Sequence, residues 1–207
     1  MPKKEAPLQQ LNDFLPPGTY KAVSEYLHFY KIHLTITRQR KSILGDYRHQ
    51  TASRNHRISI NGNLNPFAFL ITLLHEIAHL LAFEEYGKKI ASHGKEWKLV
   101  YSKLLQQFLE HKIFPLDIES ALMKSLKNPA ASSCAEDGLI RVLRKYDTNN
   151  NGYKLVEEIP VEALFKLTDG RIFKMGDKQR KRYKCLEVST RKIYLFSPVY
   201  EVELVSS

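Results

Sequence analysis

Between residues 66 and 83 the chain is apolar at almost every position, and only Thr72, His75, Glu76 and His79 interrupt the run. Asn65 can cap a helix there, and Pro66 suits the first helical position, where no N–H is needed. Gly87 suits the residue just past the last turn. The pattern predicts a helix from 66 to about 86, with Ile71, Leu74, Ile77, Ala78 and Leu81 packed around its polar residues.

The flanking segments alternate in character. Residues 8–30 have helical spacing, interrupted by Pro16-Pro17-Gly18, so a short helix, a turn and a second helix capped by Thr19 are predicted. His33-Leu34-Thr35-Ile36-Thr37 alternates and is β-branched, and 45–48 and 57–60 read as two more short strands before the turn at Asn61-Gly62-Asn63. A helix is predicted over 95–111, ending before Pro115. Residues 128–136 read as a linker, and 139–146 as a short helical stretch. From 163 onward short alternating runs follow one another, at 165–167, 171–173, 182–185, 192–196 and 200–204, which predicts a small all-β unit of barrel or meander type. The expected class is therefore α+β: a helical domain with a short β-sheet over 1–128, then a small β-rich domain over 129–207.

With 207 residues, 43% of them hydrophobic, the chain can bury a core, which argues against global disorder. No uninterrupted apolar run approaches the roughly 18 residues that span a bilayer. Met1-Pro2-Lys3-Lys4-Glu5 has no apolar signal core behind it. A cytoplasmic protein without membrane association is expected. Cys134 and Cys185 are too few for a four-cysteine metal site and read as two reduced thiols.

The net charge is +10, and its distribution matters. Residues 1–65 carry ten Lys/Arg against four Asp/Glu, residues 66–150 eleven against ten, and residues 151–207 eleven against eight. The excess lies on either side of the apolar helix. Charge of this sign can attract nucleic acid by displacing condensed counterions, and it can equally keep a protein soluble.

His75-Glu76-Ile77-Ala78-His79 carries the chemistry. Two histidines four apart on a helix differ by only about 40° in direction, so both imidazoles can grip one ion. A zinc ion lowers the pKa of its water towards about 7, and Glu76 beside it can take that proton as general base. A catalytic zinc site takes three protein ligands. The third is sought among His93, Glu96, Glu84, Glu85 and His111. Ala82 and Glu85 stand where metzincins place a glycine and a third histidine, so that arrangement is excluded. His93 leads, because a reversal at Gly87 would bring the start of the next helix back towards the first. Gly94 would leave room for close approach there, and Trp97 could pack beneath the site.

Residues 73–79, followed fourteen residues after His79 by His93-Gly94-Lys95-Glu96-Trp97, resemble the SprT-like metallopeptidase domain, whose members include the Spartan-type proteases that cleave proteins crosslinked to DNA. Residues 42–48, 58–61 and Leu64 resemble that family's strands upstream of the active helix, so the likeness covers about 20–110. It implies a zincin-like fold, one zinc ion on His75, His79 and His93, Glu76 as catalytic residue, and a protein substrate. Many bacterial members end in a four-cysteine zinc ribbon. Here 182–185 resembles the start of such a strand, but the paired cysteine is missing.

Two further motifs stand out. Residues 147–158 match a calcium-loop pattern through Asp147, Asn149, Asn151, Gly152 and Glu158. Lys154 occupies a normally apolar position and Pro160 opposes an immediate second helix, so an Asn/Gly turn is the better reading. Lys178, Arg180, Lys181, Arg182 and Lys184 lie among Tyr183, Tyr194, Phe196 and Tyr200, and Arg38, Arg40 and Lys41 form a smaller basic group. Both groups are candidate contacts to DNA, with basic side chains meeting phosphates and rings stacking on bases; a solvated hairpin is the alternative for the larger one. Oligomeric state has no signature in the chain.

Overall fold

In the computed structural model the described residues are 7–40, 42–126, 129–148 and 152–205. They form two compact units, Met1–Tyr146 and Asp147–Ser207. Helices and two β-sheets make the class α+β.

The first unit is built round one helix. After a 3-10 turn at Leu8–Phe14 come α1 (Tyr20–Phe29), the strands β1 (His33–Thr37), β2 (Gly45–Arg48) and β3 (Arg57–Asn61), and then α2 (Pro66–Tyr86). Asn65 Oδ1 accepts the Ala68 N–H at 2.9 Å, which caps α2 as the Asn-Pro pair predicts. At the other end Gly87 has φ +75° and its N–H reaches the Phe83 carbonyl at 2.8 Å. Thirteen of its residues are buried, from Ala68 to Ala82, as expected of a helix that is apolar on all sides. By length and composition α2 could cross a membrane, yet 72% of its most apolar window is buried within the fold, the position of a core helix.

The three strands lie in the order β1-β3-β2, with β1 parallel and β2 antiparallel to β3. Ile58 and Ile60 of β3 are buried in the same core as α2. Among the described residues β2 is an edge strand, paired with β3 alone. α3 (Lys95–Glu110) packs on α2, with Trp97 and Tyr101 against His75, and buries Val100, Leu104, Leu105 and Phe108.

α4 (Leu116–Ser125) and α5 (Asp137–Leu143) complete this unit. The boundary expected at 128/129 moves to 146/147. The cause is burial: Cys134, Leu139 and Leu143 belong to the first unit's core, and Asn65 Nδ2 donates to the Leu143 carbonyl at 3.0 Å.

The second unit is a six-stranded antiparallel sheet in the order β4-β9-β5-β6-β7-β8. Its strands are β4 (Tyr153–Leu155), β5 (Leu164–Lys166), β6 (Ile172–Gln179), β7 (Arg182–Glu187), β8 (Ile193–Phe196) and β9 (Glu201–Leu204). β5 to β8 are consecutive neighbours, which is the predicted meander, and β4 is an additional strand. Phe165, Phe173, Met175, Cys185, Phe196 and Val202 lie in its own core. The β6–β7 register shifts between Met175 and Lys178. There Gly176 approaches the Lys184 carbonyl so closely that a Cβ would sit 2.4 Å from it, so the bulge requires glycine.

Candidate metal centre

α2 places His75 and His79 one turn apart, with ring centroids 5.1 Å from each other. The chain reverses after Gly87 and delivers His93 just before α3. His93 Nε2 lies 3.0 Å from His79 Nε2 and 3.3 Å from His75 Nε2. Among the described residues this trio is the group able to hold a metal ion, its ligand atoms all within 4.8 Å of one another. Glu84, Glu85, Glu96 and His111 are not part of it. Trp97 is fully buried beneath, its ring centre 4.6 Å from His75, 5.1 Å from His79 and 4.7 Å from His93. Tyr101 stacks on Trp97 in turn, at 5.0 Å.

The donor set fits a cation. A neutral imidazole has one acceptor nitrogen, and three Nε2 atoms in so small a space cannot all be satisfied by hydrogen bonds to one another. An ion accepts all three lone pairs at once. His75 Nδ1 is buried without a hydrogen-bond partner, so packing on Trp97 is what sets its ring. Electrostatics agree. Burial, then His79 and His93, pushes the His75 pKa down to about 3. Burial and His93 push His79 down to about 4, and burial followed by Lys98 lowers His93. All three are held in the neutral, ligating form.

Glu76 is 5% exposed and lies against the backbone of β2. Burial, reinforced by Asp46 and opposed by Arg40, pushes its carboxyl up to about 8. A divalent cation on the neighbouring histidines would favour the carboxylate form. The cleft above has a volume of about 460 Å³, with β2, the three histidines and Glu76 on its walls. Ser132 and Ser133, in a segment read from sequence as linker, also line it.

Several contributors escaped the sequence reading. Tyr47 Oη is 2.9 Å from His56 Nδ1, and His56 Nε2 is 3.3 Å from Glu84 Oε1. Tyr47 also lies parallel to His79, with centroids 6.3 Å apart. Burial lowers the His56 pKa despite Glu84. A neutral His56 that donates from Nε2 to Glu84 accepts the Tyr47 O–H at Nδ1. Glu84 is thus a partner of His56, and no ligand.

Arg40 is a second case. Its Nε donates to Asn61 Oδ1 at 2.8 Å and its Nη1 to Ser59 Oγ at 2.9 Å. Its Nη2 donates to the carbonyls of Leu44 and Ser59, at 3.3 and 3.2 Å. The guanidinium expected to face phosphate is instead turned inward, tying the segment before β2 to the end of β3. Arg38 is exposed, and Lys41 lies outside the described residues. Lys178, Arg180, Lys181, Arg182 and Lys184 are exposed around the β6–β7 turn of the second unit.

Within the 147–158 motif, Asn149 and Asn151 fall outside the described residues. Tyr153 begins a strand, and Glu158 Oε2 accepts the Leu155 N–H at 2.7 Å. Both cysteines are free and buried.

An α+β unit in which His93 joins the two histidines of a His-Glu-x-x-His helix defines a site that could hold a metal ion beside a buried carboxyl. Residues 8–118, more than half of the chain, match the SprT-like family. The chain belongs to that family. A stretch of 29 residues is 52% identical to Protein SprT of Pseudomonas entomophila (strain L48), which is 14% of this chain and 18% of that protein. The alignment thus spans under a fifth of that relative's length. No solved structure matches.

Proposed function

We propose that this protein is a zinc metallopeptidase of zincin-like fold acting on proteins associated with or crosslinked to DNA. The observation that carries the reading is the convergence of three neutral Nε2 atoms beside the buried carboxyl of Glu76. Tetrahedral Zn–N bonds of about 2.0–2.1 Å separate ligand nitrogens by roughly 3.3–3.4 Å. The contacts of 3.0 and 3.3 Å from His93 are close to that spacing.

When bound, zinc supplies Lewis acidity and makes a water acidic enough to act near neutral pH. Glu76 accepts the proton of the attacking water and returns it to the departing amine nitrogen. Buried at the cleft wall, its carboxylate has few other partners and a short reach. The edge strand β2 lines the cleft and has a free side for pairing, which suits a substrate in extended conformation. That supports a peptide over a small compact substrate.

The association with DNA draws on the exposed basic group at Lys178, Arg180, Lys181, Arg182 and Lys184, on Arg38, and on the net charge of +10.

The test couples metal content with turnover. Elemental analysis should give about one zinc per chain in wild type and a marked loss in His93→Ala. Glu76→Gln should keep zinc and lose cleavage of a DNA-bound protein substrate. Cleavage by Glu76→Gln at the wild-type rate would remove Glu76 as the base. Zinc without turnover in wild type would leave a zinc-stabilised nucleic-acid-binding module instead.

A further inference from the structure

Besides β2, the cleft over the histidines is lined by Ala131, Ser132 and Ser133. Ala131 and Ser132 are exposed and Ser133 is half-buried, so the three add little to the core. The loop that carries them is nevertheless tied down at both ends. On one side Pro129 is buried. Glu136 Oε1 accepts the Ala130 N–H at 3.1 Å and the hydroxyl of Ser125, in the last turn of α4, at 2.5 Å. One carboxylate oxygen thus closes the loop on itself and fastens it to α4. On the other side Cys134 belongs to the core, with its Sγ 3.9 Å from the Ala68 carbonyl and 3.9 Å from Thr72 Oγ1. The φ of Cys134 is +56°. A residue other than glycine keeps that conformation only where its surroundings enforce it, and such residues gather at working sites.

These tethers make a fixed wall rather than a hinged cover. Thr72 ties this wall to β2. Its hydroxyl faces Cys134, and its methyl carbon lies 2.8 Å from the place of a Cβ on Gly45. The loop and β2 are therefore built against the same turn of α2, one turn before Glu76.

The residue types of the loop say what it can hold. An extended strand presents the N–H and C=O groups of successive residues to alternate sides. A strand laid on the free side of β2 bonds half of these groups there, and the other half need partners elsewhere. A serine hydroxyl both donates and accepts, so Ser132 and Ser133 can serve either kind of group. A wall of bulky or charged residues would select among side chains, and Ala131-Ser132-Ser133 has neither. We infer, resting on the peptidase reading above, that β2 and the 130–134 loop clamp one extended polypeptide strand between them, with Ser132 and Ser133 bonding the main-chain groups that β2 leaves free. Glu136 is the positioning residue that holds this second wall. Recognition through the main chain makes the substrate a locally unfolded polypeptide of varied sequence. A helix or a paired hairpin has those groups already bonded and is refused.

N-methylated peptides test this, because each methyl removes one main-chain donor. The parent is a labelled unstructured peptide that zinc-loaded wild type cuts at a single bond, which fixes its register. Fluorescence anisotropy reads its binding to the zinc-loaded full chain carrying Glu76→Gln. Two analogues are methylated at alternate residues, one set for each side of the strand. Each analogue should bind roughly fivefold or more weaker than the parent. Ser132→Ala with Ser133→Ala should weaken the parent by roughly 5- to 50-fold, and methylation of the set facing the loop should then cost much less. In the active enzyme Glu136→Ala should raise KM roughly tenfold and leave zinc content and kcat near wild type. Parent-like affinity for either analogue would overturn the clamp and leave a peptidase with one reading wall, and this comparison needs no change in the loop. An unchanged KM in Glu136→Ala would remove its positioning role. Failure of zinc-loaded wild type to cut any peptide, with none bound by Glu76→Gln, would remove the peptidase reading itself.

Discussion

A methyl group on the Cα of Gly45 would lie 2.5 Å from Oε1 of Glu76 and 2.8 Å from the methyl carbon of Thr72. The backbone of β2 therefore closes directly over the carboxylate, and only glycine allows it. Gly45→Ala must displace either the strand or Glu76. Misplacing a reacting group by about 1 Å costs on the order of 100-fold in rate. The expected variant keeps its zinc, loses about 1–3 kcal/mol of stability to overpacking, and drops sharply in kcat. Zinc analysis, thermal melting and peptidase kinetics on one preparation check this. Undiminished kcat would mean that the position of Glu76 against β2 is not the working one.

Metal removal should destabilise the first unit, because the three histidines converge only in the folded chain. An ion present at 100 times its Kd stabilises by about 2.7 kcal/mol. For a unit of this size that is roughly 5–10 °C in Tm. Chelation should lower the first unit's melting temperature by that order in wild type and leave His93→Ala unmoved. Identical melting with and without chelator in wild type would argue against a resident ion.

Much of this arrangement was legible because single residues carried it. Asn65, Pro66 and Gly87 marked both ends of α2, and the spacing of His75 and His79 put them on one face. Trp97 beneath the trio followed from its place four residues after His93. α4 is not among the elements the sequence pattern predicts, although Asp117 and Glu119 in its first turn, Lys124 in its last, and buried Ile118 and Leu122 are local signals. The inward turn of Arg40 was not legible, since its acceptors at Asn61 and Ser59 become neighbours only through β1–β3 pairing. The same holds for Tyr47, His56 and Glu84, which come from β2, the segment before β3 and α2. Ser132 and Ser133 read as linker because a Ser-Ala-Pro composition says nothing of the core residue Cys134 that anchors them.

Cys134 should be chemically silent in the folded protein. It is buried, and burial pushes its thiol up from 9.0 to about 12. The thiolate is the reactive form, so the native protein should resist a thiol reagent at neutral pH and both cysteines should react after denaturation. The folded state favours the neutral thiol. Its contribution to stability is therefore complete below about pH 9 and is lost as pH rises towards about 12. Thermal melts across that range should decline less steeply in Cys134→Ala than in wild type. Rapid labelling of native protein at pH 7 would contradict this burial.

The contact from Tyr47 to His56 should hold β2 to the far part of α2 through Glu84. Tyr47→Phe removes one hydroxyl and leaves the nearly buried His56 Nδ1 without its partner. A loss of about 1–3 kcal/mol is expected. His56→Ala should cost a similar amount, and the two together less than their sum, since they break one chain. A double-mutant cycle by chemical denaturation measures the coupling. Strict additivity would mean that the two side chains do not act together.

Arg40 and Lys181 should separate fold from nucleic-acid contact. Arg40 makes four hydrogen bonds within the first unit, whereas Lys181 is exposed at the β6–β7 turn. Arg40→Ala leaves Asn61, 1% exposed, short of a partner, so a stability loss of about 2–3 kcal/mol is expected, because hydrogen bonds from a charged donor are the stronger kind. The salt dependence of oligonucleotide binding should not change in that variant. Lys181→Ala should melt as wild type does, yet reduce the slope of log K against log salt by about 0.7, the contribution of one single-strand phosphate. The two measurements cross over, so each variant is the other's control. A reduced slope in Arg40→Ala, with stability intact, would restore Arg40 to the phosphate-binding surface and require its hydrogen bonds to be broken in the complex.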